Sequence, residues 1–172
     1  MKKLILMLMA AFTALPVMAV NQHDSQGQVL LIPYYTVRDG QATIMSVINT
    51  SGDTKAIKVR FMEALNSREV LDFNMYMSPY DVWTAKIEDG KYGAQLVTND
   101  LTCTTPQIPE DGVAFRPYAY NGQLPDYPLD GGPTGLDRTR EGHIEIIEMG
   151  VANTYDLGYW DRDLSGYPDS TH

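Results

Sequence analysis

Between Thr54 and Met77 apolar and polar side chains alternate with a period of two, a rhythm that suits a strand and not a helix. Ile57, Val59 and Phe61 fall on one side, with Ala56, Lys58, Arg60 and Met62 on the other. After a short break, Leu71, Phe73 and Met75 oppose Asp72, Asn74 and Tyr76. A strand with one oily and one wet face belongs in an antiparallel sheet that is covered on one side.

The rhythm recurs on both flanks. Residues 29–37 (VLLIPYYTV) form a β-rich run interrupted by Pro33, which cannot donate to a ladder and so marks an edge position or a bulge. Within 42–50, Ile44, Ser46 and Ile48 face away from Met45, Val47 and Asn49. Residues 82–87 and, more weakly, 92–98 read as further strands, and 143–149 (HIEIIEM) as a late one. Turn chemistry separates them: Arg38-Asp39-Gly40, Asn49 to Asp53, Ser78 to Asp81, and Glu88-Asp89-Gly90. The first two read as hairpin turns. Residues 62–71 carry a competing reading as a short helix, because Met62, Leu65 and Glu69 sit at helical spacing. Taken together, these elements predict an all-β antiparallel sandwich, immunoglobulin-like in architecture, with Phe61 and Trp83 in its core.

From Thr102 to Arg140 the composition shifts to interleaved prolines and glycines, which predicts a long loop. At the other extreme, residues 1–19 combine a basic start, a short apolar core and Val17 and Ala19 at small-residue positions, the pattern of a cleavable export signal. The expected mature domain is 20–172, with no membrane span once the signal is removed. Losing Lys2 and Lys3 takes the formal charge from −9 to −11, which disfavours nucleic acid and anionic lipid surfaces as partners.

Cys103 is the single cysteine, and an unpaired thiol is a liability in an oxidising compartment. Three readings compete for it: a buried inert thiol, an intermolecular bridge, or a bridge to a partner beyond His172. The third is favoured, because the final stretch YWDRDLSGYPDSTH closes on no strand or helix pattern and reads as part of a longer protein.

Four strings, LIPYYTVRDG (31–40), KVRFMEALNSREVLDF (58–73), SPYDVW (78–83) and TREGHIEIIEMG (139–150), resemble a family of exported bacterial proteins of unknown function. The resemblance covers most of the mature chain. It implies export, a longer parent protein and a further cysteine downstream, and it brings no activity, cofactor or site residue.

Candidate chemistry is sparse. His143 and Glu145 are two apart in a strand and share a face, as a metal-ligating or acid–base pair would. Glu141, Glu145 and Glu148 could pair with Glu63 as glycosidase carboxylates, although solvated decoration explains Glu145 as well. Asp161, Asp163 and Ser165, followed by Gly166, supply the opening oxygens of a calcium loop, and Asp169 falls at its ninth position. The twelfth position is His172 in place of the usual glutamate. Asp126 and Asp130 beside Gly131 and Gly132 offer a second, less specific oxygen cluster. Tyr118, Tyr120 and Tyr127 in the long loop, with Tyr155, Tyr159, Trp160 and Tyr167 further on, suit stacking on sugars or contact with protein. The reading that follows is an exported, non-catalytic binding or structural domain of the cell envelope, with a protein or glycan partner. A carbohydrate-binding module, calcium-assisted through the aspartate turn, and a hydrolase using His143 and Glu145 are its rivals.

Overall fold

The alternating stretches become strands whose apolar faces turn inward. A computed structural model describes residues 28–152; the segment expected as an export signal, the aspartates 161–169 expected as a calcium loop and the tyrosines beyond 152 lie outside those residues. Nine strands follow in order: β1 (Val29–Thr36), β2 (Thr43–Ile48), β3 (Thr54–Glu63), β4 (Glu69–Met77), β5 (Val82–Asp89), β6 (Ala94–Val97), β7 (Cys103–Thr105), β8 (Val113–Ala114) and β9 (Glu141–Ala152). They form a five-stranded sheet in the order β1-β9-β3-β4-β7 and a four-stranded sheet in the order β2-β5-β6-β8. Every pairing is antiparallel. The described chain is thus an antiparallel β-sandwich, and among its residues no helix is long and apolar enough to cross a membrane.

One core joins the two layers. Ile57, Val59 and Phe61 of β3 and Phe73, Met75 and Met77 of β4 are buried against Trp83, Ala85 and Ile87 of β5. Phe73 and Trp83 meet across the layers with ring centroids 5.7 Å apart. Phe115, beyond β8, is buried among Tyr35, Phe61 and the rest of this cluster. β9 returns from the far end of the chain and inserts between β1 and β3. Pro33 stands where expected: β1 is an edge strand, and its register with β9 shifts between Ile32 and Tyr35.

Two expectations are corrected. The turns at Arg38–Gly40 and Asn49–Asp53 are not hairpins, because β2 lies in a different sheet from both β1 and β3. Only β3–β4 and β5–β6 are sequential hairpins; the other links cross between layers. Positive φ at Asp39 (55°) and Gly40 (75°) swings the chain over the first crossing. At the second, buried Asn49 holds the crossing by donating from Nδ2 to the carbonyls of Asp53 (2.7 Å) and Ser78 (2.8 Å). Its Oδ1 accepts from Ser51 N–H at 3.1 Å. Turn residues look alike in either role, since their chemistry is local while sheet membership is set by distant partners. The helical reading of 62–71 also fails: β3 and β4 are joined by a tight turn in which Ser67 takes φ 53°.

Asn49 carries a testable consequence. Asn49→Ala strands carbonyls at the layer junction and should cost about 1–3 kcal/mol. Urea unfolding is the measurement, with a lower midpoint at unchanged slope as the expected result. Ser46→Ala, on the exposed face of the neighbouring strand, should leave the midpoint in place.

Candidate binding cleft

Of the carboxylates that the sequence offered for chemistry, Glu63, Asp130, Glu141, Glu145 and Glu148 are engaged by cations. On the outer face of the larger sheet, Arg60 Nη1 donates to Glu145 Oε2 at 2.9 Å, while its Nε donates to Glu69 at 2.7 Å. Lys58 pairs with Asp72, Lys55 with Glu148, and Arg38 with Glu141. His143 and Glu145 do share a face, at 3.9 Å, but Glu145 already serves Arg60. Among the described residues no group of three or more His, Cys, Asp and Glu side chains is placed to hold a metal ion.

Glu63 cannot partner Glu145 as a glycosidase pair. Phe61 and Glu63 point inward, whereas Arg60 and its register partner Glu145 point outward, on the opposite side of the sheet. Glu63 is fully buried and held by a bidentate Arg138, with Nε–Oε2 at 2.7 Å and Nη2–Oε1 at 3.0 Å. Backbone N–H groups of Leu65, Asn66 and Arg68 donate to the same carboxylate. Burial opposes its ionisation, but these donors prevail and hold it below the usual carboxylate range. Arg138 also grips Asp130 and lies over the Tyr120 ring at 4.3 Å. Asp130 is therefore consumed within the fold, which corrects the reading of Asp126 and Asp130 as a metal-binding oxygen cluster. This knot fastens the β3–β4 turn to residues 130–138. Sequence reasoning missed Arg138, although Glu63 gave a signal: it continues the inward register of Ile57, Val59 and Phe61 with a charge.

The loop tyrosines are mostly packed down. Tyr120 is buried, and burial pushes its hydroxyl up to about 12. Tyr118 donates to Glu69 and meets Tyr127 edge-on at 5.8 Å. The segment 102–140, expected as one loop, contains β7, β8 and a short 3₁₀ turn at Leu136–Arg140.

A different place remains open. A cleft of about 770 Å³ lies between the loop after β6 and the segment after β7, with Trp83 among its lining residues. Asp100 builds one wall. Its carboxylate accepts from Thr84 N–H (3.2 Å), Thr102 N–H (2.9 Å) and the Thr102 hydroxyl (2.6 Å). Burial disfavours the charge, yet those bonds hold Asp100 below the ordinary range. Thr98 fastens the same loop by donating to the Thr84 carbonyl at 2.6 Å. The pinned loop holds Leu101 out into solvent, 98% exposed.

Cys103 and Thr104 of β7, Gln107 and Glu110 contribute to the lining, and no Lys or Arg does. Cys103 is exposed, which removes the reading of it as a buried inert thiol. Trp83 is fully buried, and its indole Nε1 has no hydrogen-bond partner among the described residues. A buried donor left without an acceptor is costly to the fold. Compared with protein families, curated proteins and solved structures, the chain finds no match in any of the three.

Proposed function

We propose that the protein is an exported, non-catalytic β-sandwich domain that acts by binding, with the cleft beside β7 and its pinned loop as the contact surface. The observation that carries this reading is the fixed presentation of exposed Leu101 beside the cleft, on a loop pinned to Thr84 through Asp100 and Thr98. A loop already locked in place loses little further freedom on binding. Export to the periplasm, cell surface or medium is supported by the pattern of residues 1–19 and by the resemblance to exported bacterial proteins. The carbohydrate-binding alternative loses much of its tyrosine platform, since Tyr118 and Tyr120 are engaged in the fold. Its calcium turn, Asp161 to Asp169, lies outside the described residues.

The test uses residues 20–172 immobilised and presented with envelope proteins and with envelope glycans. The native protein should retain a partner, and Leu101→Asp should weaken retention about tenfold while leaving the melting temperature unchanged. A panel of hydrolase substrates should pass untouched. Turnover that disappears in His143→Ala or Glu145→Ala would replace this reading with the hydrolase.

A further inference from the structure

We infer that two copies of this chain join edge to edge through β2, in an antiparallel two-fold pairing centred on Ser46 that makes one sheet of the two smaller ones. The inference is separate from the cleft, whose lining contains no residue of β2. The two sheets end in four edge strands, β1, β7, β2 and β8. Three of them are blunted in ways that discourage an added strand. β1 carries Pro33 and a register shift, β7 has three residues and β8 has two. β2 has six residues in unbroken register with β5, and the stretch 41–52 holds no charged side chain.

The hydrogen-bonding parity of β2 follows from its neighbours. Asn49 N–H donates to the Asp81 carbonyl at 2.9 Å in the same register, so residues 43, 45 and 47 bond across to β5. Thr84, opposite Ser46, agrees: its N–H goes to Asp100 and its carbonyl to Thr98, both away from β2. The main-chain groups of Ile44, Ser46 and Ile48 therefore face the free edge, where no described strand meets them.

Those three residues commit the edge to a second copy. A two-fold axis at Ser46 sets Ser46 against itself and Ile44 against Ile48 of the second copy, each as a hydrogen-bonded pair. Side chains match in the same register. Ile44 is 80% and Ile48 59% exposed on the outer face, and the pairing gives each a β-branched neighbour across the join. Exposed Val82, the register partner of Ile48, flanks them. Charge points the same way. With 22 acidic against 13 basic residues, two copies repel unless they meet on a neutral strip.

Residues 20–172 should show a monomer–dimer equilibrium in sedimentation between micromolar and near-millimolar concentration. Ser46→Pro removes the central N–H, which faces the free edge, and should weaken the dimer about tenfold. Cross-linking reads the register. In a Cys103→Ser background, Ser46→Cys puts two thiols on the axis within disulfide reach and should link into dimers on mild oxidation. Ile44→Cys should not link, because its counterpart lies four residues along the strand, about 14 Å away. That comparison stands even if Ser46→Pro does not fold. A monomer at every concentration overturns the inference; protection of the Ile44, Ser46 and Ile48 amides from exchange in that monomer would assign the edge to another stretch of the same chain. A dimer in which Ile44→Cys links as fast as Ser46→Cys overturns it too, since the join then lies elsewhere. Neither result bears on the cleft, which the Leu101→Asp retention assay judges by itself.

Discussion

Arg138→Ala should be among the most damaging single substitutions in the chain. Glu63 has no exposed side-chain surface and Arg138 only 4%. Removing the guanidinium therefore leaves a buried carboxylate without its cation, at a cost of about 3–5 kcal/mol. The neighbouring Asp130 loses the same partner, and Tyr120 loses the cation over its ring. The pH dependence gives an independent check. Glu63 and Asp130 are both held below their ordinary values of 4.5 and 3.8. A carboxyl whose folded value is depressed stabilises the fold above its unfolded value, and that contribution is lost as pH falls through the folded one. The native protein should accordingly lose stability below about pH 4, whereas the variant has already lost the interaction. Urea midpoints of the two should converge on acidification. A gap that stays constant from pH 7 to pH 3 would remove the knot from the account. The triple variant Arg138→Met, Glu63→Gln, Asp130→Asn should recover part of the loss, because neutral groups of similar volume carry no unpaired charge.

The second large effect concerns a missing side chain. Gly142 in β9 is paired with Tyr35 on one side and Glu63 on the other. A Cβ at that position would overlap the Met62 carbonyl oxygen and come within 2.8 Å of Tyr35 Cε1. The backbone of β3 cannot step aside without breaking its ladder, so Gly142→Ala should cost about 3 kcal/mol or more. Gly150, in the same strand, has open space where its Cβ would go. Gly150→Ala should be neutral or stabilising by up to about 1 kcal/mol, because alanine restricts the unfolded chain. Thermal melting of the pair decides the matter: similar melting temperatures for both variants would contradict close approach at Gly142.

Local pattern and long-range pairing were unequally legible. Alternation placed Ile57, Val59 and Phe61 inward and Lys58 and Arg60 outward, because burial on a pleated sheet has a period of two. It also located β9 and the edge character of β1 through Pro33. It could not distinguish a hairpin from a crossing at Asn49–Asp53, where turn residues serve either connection and the distinguishing bonds run to Met77 and Ser78. The site was harder still. Trp83 reads as core and is core, and nothing in its sequence context reveals an indole donor without an acceptor. Asp100 and Thr98 hold their loop through bonds to Thr84 in β5, so no spacing motif announces them. Glu63 was offered as a glycosidase carboxylate, and its true partner was not legible because that cation stands 75 residues away.

The placement of β9 reaches beyond the finished molecule. β1 is made first and hydrogen-bonds within its sheet only to β9, the last of the described strands to leave the ribosome. An emerging chain can close the β3–β4 and β5–β6 hairpins early, yet its first strand waits without a neighbour through more than a hundred residues of synthesis. Closure of the larger sheet is thereby postponed until nearly the whole domain is available. A polypeptide timed in this way stays threadable, and a route that admits only unfolded chains would meet it before the sheet has locked.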